Sequence, residues 1–231
     1  MGLAKVTLLN DFAAVAHAVA NDSEGTSLTP LAGPDGWCAS SKRVTIIGPG
    51  TGLGIAHYTW HAGKPLIQAT EGAHIDFAPV DAVDDALLSR LRKSHERVSL
   101  ERVVSGAGIA DIYAVISELS GEDPLLSHQL DIWESGFAGT DPVAVKSIAH
   151  FVKTLGRAAG DYALAHGSSA VVIAGGLGQR LEAQLRAADF HAAFLDKGRY
   201  RSMMEAIPII LITHPQPGLL GAAAAYKTEH L

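Results

Sequence analysis

Residues able to do chemistry fall into a few short stretches of this chain. The densest is Gly48 to Gly54 (GPGTGLG), where five of seven positions are glycine or proline and Thr51 adds a hydroxyl. Backbone N–H groups in such a segment can approach an anion without obstruction from Cβ atoms. A P-loop would need Gly-Lys-Ser/Thr leading into a helix, and a dinucleotide fingerprint would need glycines that open a helix. Here the glycines separate two apolar runs that read as strands, Arg43 to Ile47 and Ile55 to Trp60. A β-hairpin whose tip holds a phosphate and an ordinary tight hairpin both fit this pattern. The stretch Thr70 to Phe77 (TEGAHIDF) places Glu71, His74 and Asp76 within six residues. Glu-x-x-His is a metal-ligand spacing on helices, but Gly72 and the lack of a second such pair argue against a metal. Carboxylate and imidazole groups on a loop suit the hydroxyls of a neutral polyol, which need both acceptors and donors. A loop network satisfied by itself is the other reading.

Single acidic residues are more ambiguous. Asn10-Asp11 ends an apolar run, Ala4 to Leu9, and precedes Phe12, Val15, Ala16 and Val19 at helical spacing. Asp11 is therefore first of all an N-cap candidate. It also stands at the carboxyl end of an expected strand, where open α/β sheets bind their ligands. Glu101 falls in the first turn of a helix beginning near Ser99, where the dipole favours a carboxylate in any case. Gly175 to Gly178 joins a buried-type strand, Ala170 to Ala174, to a helix running to about Ala188. Leu181 stands where the last glycine of G-x-G-x-x-G would be, so this is a weak nucleotide signal. Lys197 and Arg199 in DKGRYR read as a solvated loop. The 11 histidines show no paired zinc spacing.

The elements that must position these residues alternate between strand and helix, the pattern of an α/β architecture. Helices are expected over Asp84 to Lys93, over Gly108 to Leu119, and from Thr140-Asp141-Pro142 to about His166, the last by cap and first-position chemistry. Pro208 to Thr213 is the last strand and Leu219 to Thr228 a final helix. Residues 21–41 are rich in Gly, Pro, Ser and Thr and read as a loop. The length of 231 residues allows one large domain or two small ones. With 48% hydrophobic and 18% charged residues the chain is not disordered. A net charge of −6, without a basic cluster, excludes a phosphate-backbone partner, so nucleic acid is not expected. Its apolar runs fall far short of the roughly 20 residues of a membrane helix. The single Cys38 and the absence of a leader make a soluble, cytoplasmic protein the expectation.

Taken together and in this order, LLNDFAAVA, GPGTGLGIAH, EGAHIDFAP, SLERVVSGAGI, VVIAGGL, FLDKGR and HPQPGLLGAA resemble the bacterial glucokinase family, over about Val6 to Leu220. The branch is the one outside the repressor/ORF/kinase (ROK) group, whose zinc-binding cysteine cluster a chain with only Cys38 cannot supply. The resemblance implies an actin-like ATPase (ribonuclease H-like) fold, with ATP, Mg²⁺ and glucose between two α/β domains. Residues 22–214 would form the large domain, and residues 1–21 and 215–231 remnants of the small one. Asp11 would be the general base toward the glucose 6-hydroxyl. Asn10, Glu71, His74 and Glu101 would hold the sugar; Gly50, Thr51 and Gly52 would form a phosphate hairpin, and Gly175 and Gly176 the adenosine-side turn. No metal ligand is assigned. A homodimer is expected by analogy.

One departure is large. Family members carry a first phosphate hairpin, Asp-x-Gly-Gly-Thr-Asn, before the strand that leads to Asn-Asp, and Gly-Gly-Thr-Asn occurs nowhere here. The resemblance therefore implies a polypeptide truncated at its N-terminus, with Ala4 to Leu9 as an open strand edge. Little or no kinase activity is expected of it alone. A non-catalytic sugar-binding or regulatory protein and a kinase for another hexose are the alternatives.

Overall fold

The structure is a computed structural model and describes residues 5–22, 24–34 and 42–230. In chain order the elements are α1 (Asp11–Asn21), β1 (Leu28–Ala32), β2 (Arg43–Pro49), β3 (Leu53–His61), β4 (Lys64–Thr70), α2 (Ala82–Leu91), α3 (Leu100–Val103), α4 (Gly108–Leu119), α5 (Gln129–Ala138) and α6 (Pro142–His166). There follow β5 (Ala170–Ile173), α7 (Gly176–Arg180), α8 (Glu182–Leu185), α9 (Ala188–Leu195), α10 (Arg201–Met204), β6 (Ile209–Ile212) and α11 (Pro217–His230). The strands form one mixed sheet in the order β1-β6-β5-β2-β3-β4. β2, β3 and β4 are an antiparallel meander; β5 joins β2 in parallel and β6 joins β5 in parallel, while β1 closes the far edge antiparallel to β6.

Both faces of the central strands are covered, which is why AVVI and IILI read as unbroken apolar runs instead of alternating ones. Ile47, Ile55, Val171, Ile173, Ile209 and Leu211 face a core shared with Ile112, Phe151, Leu155 and Phe194. Val44, Ile46, Ala56, Tyr58, Val172 and Ile210 face the opposite way, onto Val15, Ala16 and Val19 of α1. α11 lies across α1 at backbone contact: a Cβ at Gly221 would overlap the carbonyl oxygen of Ala14.

The 25-residue helix α6 spans about 37 Å. It starts where cap chemistry says it should, with Asp141 accepting from Ala144 N at 2.9 Å and Pro142 in the first turn. It stops at Gly167, whose φ of 59° a side chain would oppose.

Three expectations are corrected. The one helix expected to run to about Ala188 is two short helices, α7 and α8, ending at Leu185, and α9 begins at Ala188. Residues 5–10 are irregular, not part of a strand from Ala4 to Leu9; Ala4 itself lies outside the described residues. No described strand pairs with this segment, so its ties are side-chain ones to α11: Thr7 Oγ1 donates to Glu229 Oε2 at 2.7 Å and Lys5 Nζ to the His230 carbonyl at 3.2 Å. The polar stretch over 21–41 contains β1, an edge strand tolerant of Pro30 because one side of its ladder faces outward. Cys38 falls outside the described residues. Among the described residues no helix is long and apolar enough to cross a membrane.

Candidate active site

A cleft of about 330 Å³ opens beside the carboxyl end of β5, where β2 turns into β3. Five segments line it: Asn10 and Asp11 at the start of α1, Gly50 to Gly52 at the β2–β3 tip, Glu71 after β4, Glu101 on α3, and Gly175 after β5. Its position outside the carboxyl end of a parallel strand is where α/β sheets expose unpaired backbone and helix N-termini.

Asn10, not Asp11, caps α1. Asn10 Oδ1 accepts from Phe12 N at 2.8 Å and Ala13 N at 3.1 Å, and its own backbone is extended, with ψ 147°. Asp11 occupies the first turn and is exposed. One carboxylate oxygen accepts from Phe12 N at 2.8 Å, and Oδ2 has no partner among the described residues. The reading of Asp11 as the N-cap is thereby corrected: the extended backbone at residue 10 makes Asn10 the cap and leaves an Asp11 carboxylate oxygen free.

Glu71 leads into a single 3-10 turn, Gly72–His74. This turn is held from three sides. Gly72 N donates to Thr70 Oγ1 at 3.2 Å. Leu100 N donates to the Ile75 carbonyl at 2.9 Å, which ties the turn to the helix carrying Glu101. Tyr162 of α6 donates its hydroxyl to the Gly72 carbonyl at 2.5 Å. Burial, and then the charge of Asp161, push the Tyr162 phenol up to about 12, so it stays a donor across any working pH.

Glu101 reaches under the hairpin: its Oε2 accepts from Leu53 N at 2.9 Å, and a Cβ on Gly52 would sit 2.5 Å from the same oxygen. His74 stands outside the cleft wall, its Nε2 3.8 Å from Glu71 Oε2, with both side chains more than half exposed. Asp76 turns away to Arg97, which donates from Nε at 2.6 Å.

The hairpin tip is internally braced. Gly50 N donates to the Gly52 carbonyl at 2.8 Å, and the Gly50 carbonyl accepts from Gly106 N at 2.7 Å. Trp133 fixes that brace by donating its indole N–H to the Gly106 carbonyl at 2.9 Å. The amides of Thr51 and Gly52 have no partner among the described residues, and Thr51 is exposed. Across the cleft mouth, Gly175 takes φ 85° and ψ 155° and turns the end of β5 directly into α7. Nothing lies within 4 Å of where a Gly176 Cβ would be, so a ligand could approach this backbone closely; Gly176 adjoins the cleft wall without forming part of it.

Other candidate groups lie elsewhere. Lys197 Nζ pairs with Asp161 at 2.9 Å, and Arg199 lies over the Tyr200 ring. Asp81, Asp84 and His150 come within ligand distance of one another. That group already holds cations: Arg157 donates to Asp84 at 2.6 Å and Lys153 to Asp81 at 3.0 Å, while His150 Nε2 lies 2.8 Å from Asp84. It is a closed ion-pair cluster. Sequence reasoning missed Tyr162, Trp133 and Gly106, and no spacing signal could have shown them, since each acts across long sequence separations.

Comparison with known proteins places this cleft in context. The family model described as Glucokinase matches residues 1–229. The glucokinase of Zymomonas mobilis is 45% identical over 223 residues, covering 96% of this chain and 68% of that protein. The glucokinase of Psychromonas ingrahamii is 37% identical over 232 residues, covering 97% of this chain and 69% of its own length. Among solved structures, the glucokinase of an Antarctic psychrotroph superposes with a TM-score of 0.84 at 33% identity, covering 95% of this chain and 68% of that one. A ROK-family glucokinase from Streptomyces griseus, solved with glucose and AMPPNP, gives a TM-score of 0.61 at 20% identity, covering 96% and 68%. The sheet order and these neighbours identify the actin-like ATPase fold.

Proposed function

The chain belongs to the glucokinase family, and from that premise we propose how its cleft transfers the terminal phosphoryl group of ATP to glucose. Asp11 is the general base. Its partnerless Oδ2 accepts the proton of the sugar 6-hydroxyl as that oxygen attacks the phosphorus, a transfer that completes late, when the hydroxyl has become acidic. Asn10 offers its amide N–H₂ to the sugar, since its carbonyl is spent on the helix cap. Glu71 and Glu101 accept from sugar hydroxyls, and His74 completes the rim through Glu71.

The nucleotide fits the residues opposite. The free amides of Thr51 and Gly52 and the Thr51 hydroxyl form a donor cradle for phosphate oxygens. The open backbone at Gly175 and Gly176 admits the adenosine side. Bound ATP supplies the phosphoryl group and Mg²⁺ screens its charge; positioning is then most of what the protein contributes.

The observation that carries this reading is that the Asp11 carboxylate and the unpaired hairpin amides share one cleft. In the same reading residues 22–214 form the large domain. Residues 1–21 and 215–231 belong to the smaller one, although α1 rests on the sheet. Two copies pair in a cytoplasmic homodimer, which sedimentation checks.

The test is Asp11→Asn in an assay coupled to glucose 6-phosphate formation, with glucose affinity measured by calorimetry. Against the low turnover expected of a chain without the first phosphate hairpin, the substitution is expected to lower the rate about 10²- to 10⁴-fold further while glucose affinity changes little. Turnover within threefold of the unsubstituted protein removes Asp11 from the role, and a panel of hexoses settles the sugar preference.

A further inference from the structure

Two glycines of the GPGTGLG stretch stand outside its tip and have a different reason to be glycine. Gly48 and Gly54 oppose each other directly in the β2–β3 pair. They continue the face on which the neighbouring pairs Ile46–Ala56 and Val44–Tyr58 present side chains. Where that row of side chains stops, the ring of Phe12 comes down from α1. A Cβ on Gly54 would fall inside the Phe12 ring, and one on Gly48 would come 2.6 Å from Phe12 Cζ. The ring therefore occupies a hollow that exists only because both opposed residues lack side chains.

Phe12 directly follows Asp11, and its own N–H is the donor that Asn10 Oδ1 and Asp11 Oδ1 share, each at 2.8 Å. Helix ends fray; α11 holds this end from the far side, Gly221 packing on Ala14, and toward the sheet Phe12 is the one large side chain of the first turn, followed by Ala13 and Ala14 before Val15 is reached. The floor under the ring is a strand pair continuous with the Gly50–Gly52 tip.

We propose that Phe12 is a positioning residue: docked in the Gly48–Gly54 hollow, its ring sets the separation between the Asp11 carboxylate and the phosphate-facing hairpin tip. This rests on the reading of Asp11 as the base. Part of the glycine pattern is thereby reassigned from binding an anion to receiving a ring. An error of about 1 Å in such a separation costs on the order of a hundredfold in rate.

The experiment compares Gly54→Ala, Phe12→Leu and the double variant with the unsubstituted full chain, following kcat and KM for glucose, calorimetric glucose binding and circular dichroism. Gly54→Ala is expected to displace the ring and lower kcat about 10- to 100-fold, with a smaller change in glucose KM and a retained helical spectrum. Phe12→Leu alone lowers kcat less. In the double variant the smaller side chain makes room for the new methyl group, so kcat recovers at least fivefold over Gly54→Ala alone. A merely structural role would couple these contacting positions as well, but in the helical spectrum and the folded fraction, with kcat per folded molecule unchanged. Folded Gly54→Ala with an unchanged kcat, or a folded double variant no faster than Gly54→Ala, overturns the proposal. Should Asp11→Asn be inactive while Gly54→Ala is normal, only the positioning role falls. An active Asp11→Asn, or an unsubstituted chain with neither turnover nor glucose binding, removes the site reading and this proposal with it.

Discussion

Tyr162 shows how much of this site is held by single atoms far away in sequence. Its hydroxyl crosses 90 positions to the Gly72 carbonyl, and the ring lies against the same glycine, where a Cβ would be 3.1 Å from Cε1. Phenylalanine would keep that packing and remove only the donor. Tyr162→Phe is therefore expected to raise the glucose KM about three- to tenfold with kcat nearly unchanged, the loss of one hydrogen bond of about 1 kcal/mol; steady-state kinetics at saturating ATP checks this. At this scale the sequence shows which groups have the right chemistry and little about which of them are free to use it. Asp11 reads as the cap of α1, and only the extended backbone at residue 10 decides that the Asn10 side chain is spent on the helix and the Asp11 carboxylate is not. Glu101 reads as a first-turn acid favoured by the dipole. It is that, and it also anchors Leu53 N, a contact across 48 positions that no local pattern encodes.

Elements were legible where their ends carry their own chemistry. The limits of α6 follow from Asp141-Pro142 at one end and Gly167 at the other, and those of α4 from its helical period. Legibility failed where an element needs a partner. β1 is only five residues long with a proline at its centre, inside a Gly-, Ser- and Thr-rich stretch, and it is a strand because β6 offers it an edge; Lys5 to Leu9 has the composition of a strand and no described partner. α6 also carries the polar anchor between the sheet's helical cover and the loop after the Gly72–His74 turn. Asp84 is fully buried and Arg157 nearly so, bonded at 2.6 Å. Replacing Arg157 by Met leaves the Asp84 carboxylate with only His150 and the Val80 N–H and is expected to cost about 3–5 kcal/mol of stability, the usual penalty for stranding a buried charge. Urea denaturation reads this directly, and a loss below 1 kcal/mol would show that His150 suffices.

At the scale of the whole molecule the sheet decides how the protein responds to acid. His57 on β3 stacks on His166 at the end of α6 with ring centroids 4.2 Å apart, and Thr45 Oγ1 lies 2.7 Å from His166 Nδ1. Burial, then the neighbouring His57, bring His166 down to about 4, and burial lowers His57 as well. The unfolded chain thus binds protons more readily than the folded one. Stability is complete above the ordinary histidine value of about 6.5 and falls as pH drops from there toward 4. His166 is partly exposed, which leaves an effect on the order of 1–2 kcal/mol after screening. His166→Gln is expected to flatten the slope of urea midpoint against pH between about 6.5 and 4.5, and an unchanged slope would discount the pair. By itself the sequence determined the α/β alternation, the limits of the capped helices, the glycine hairpin and the kinds of group available for sugar and phosphate, because each is written in spacing within a turn or a strand. Only the tertiary structure decided that Asp11, Glu71, Glu101 and the hairpin tip share one cleft, that His74 stands at its rim, and that two of the glycines receive a phenylalanine ring. Those outcomes depend on strand order, register and the seating of α1 on the sheet, and such contacts between distant segments leave no periodic trace along the chain.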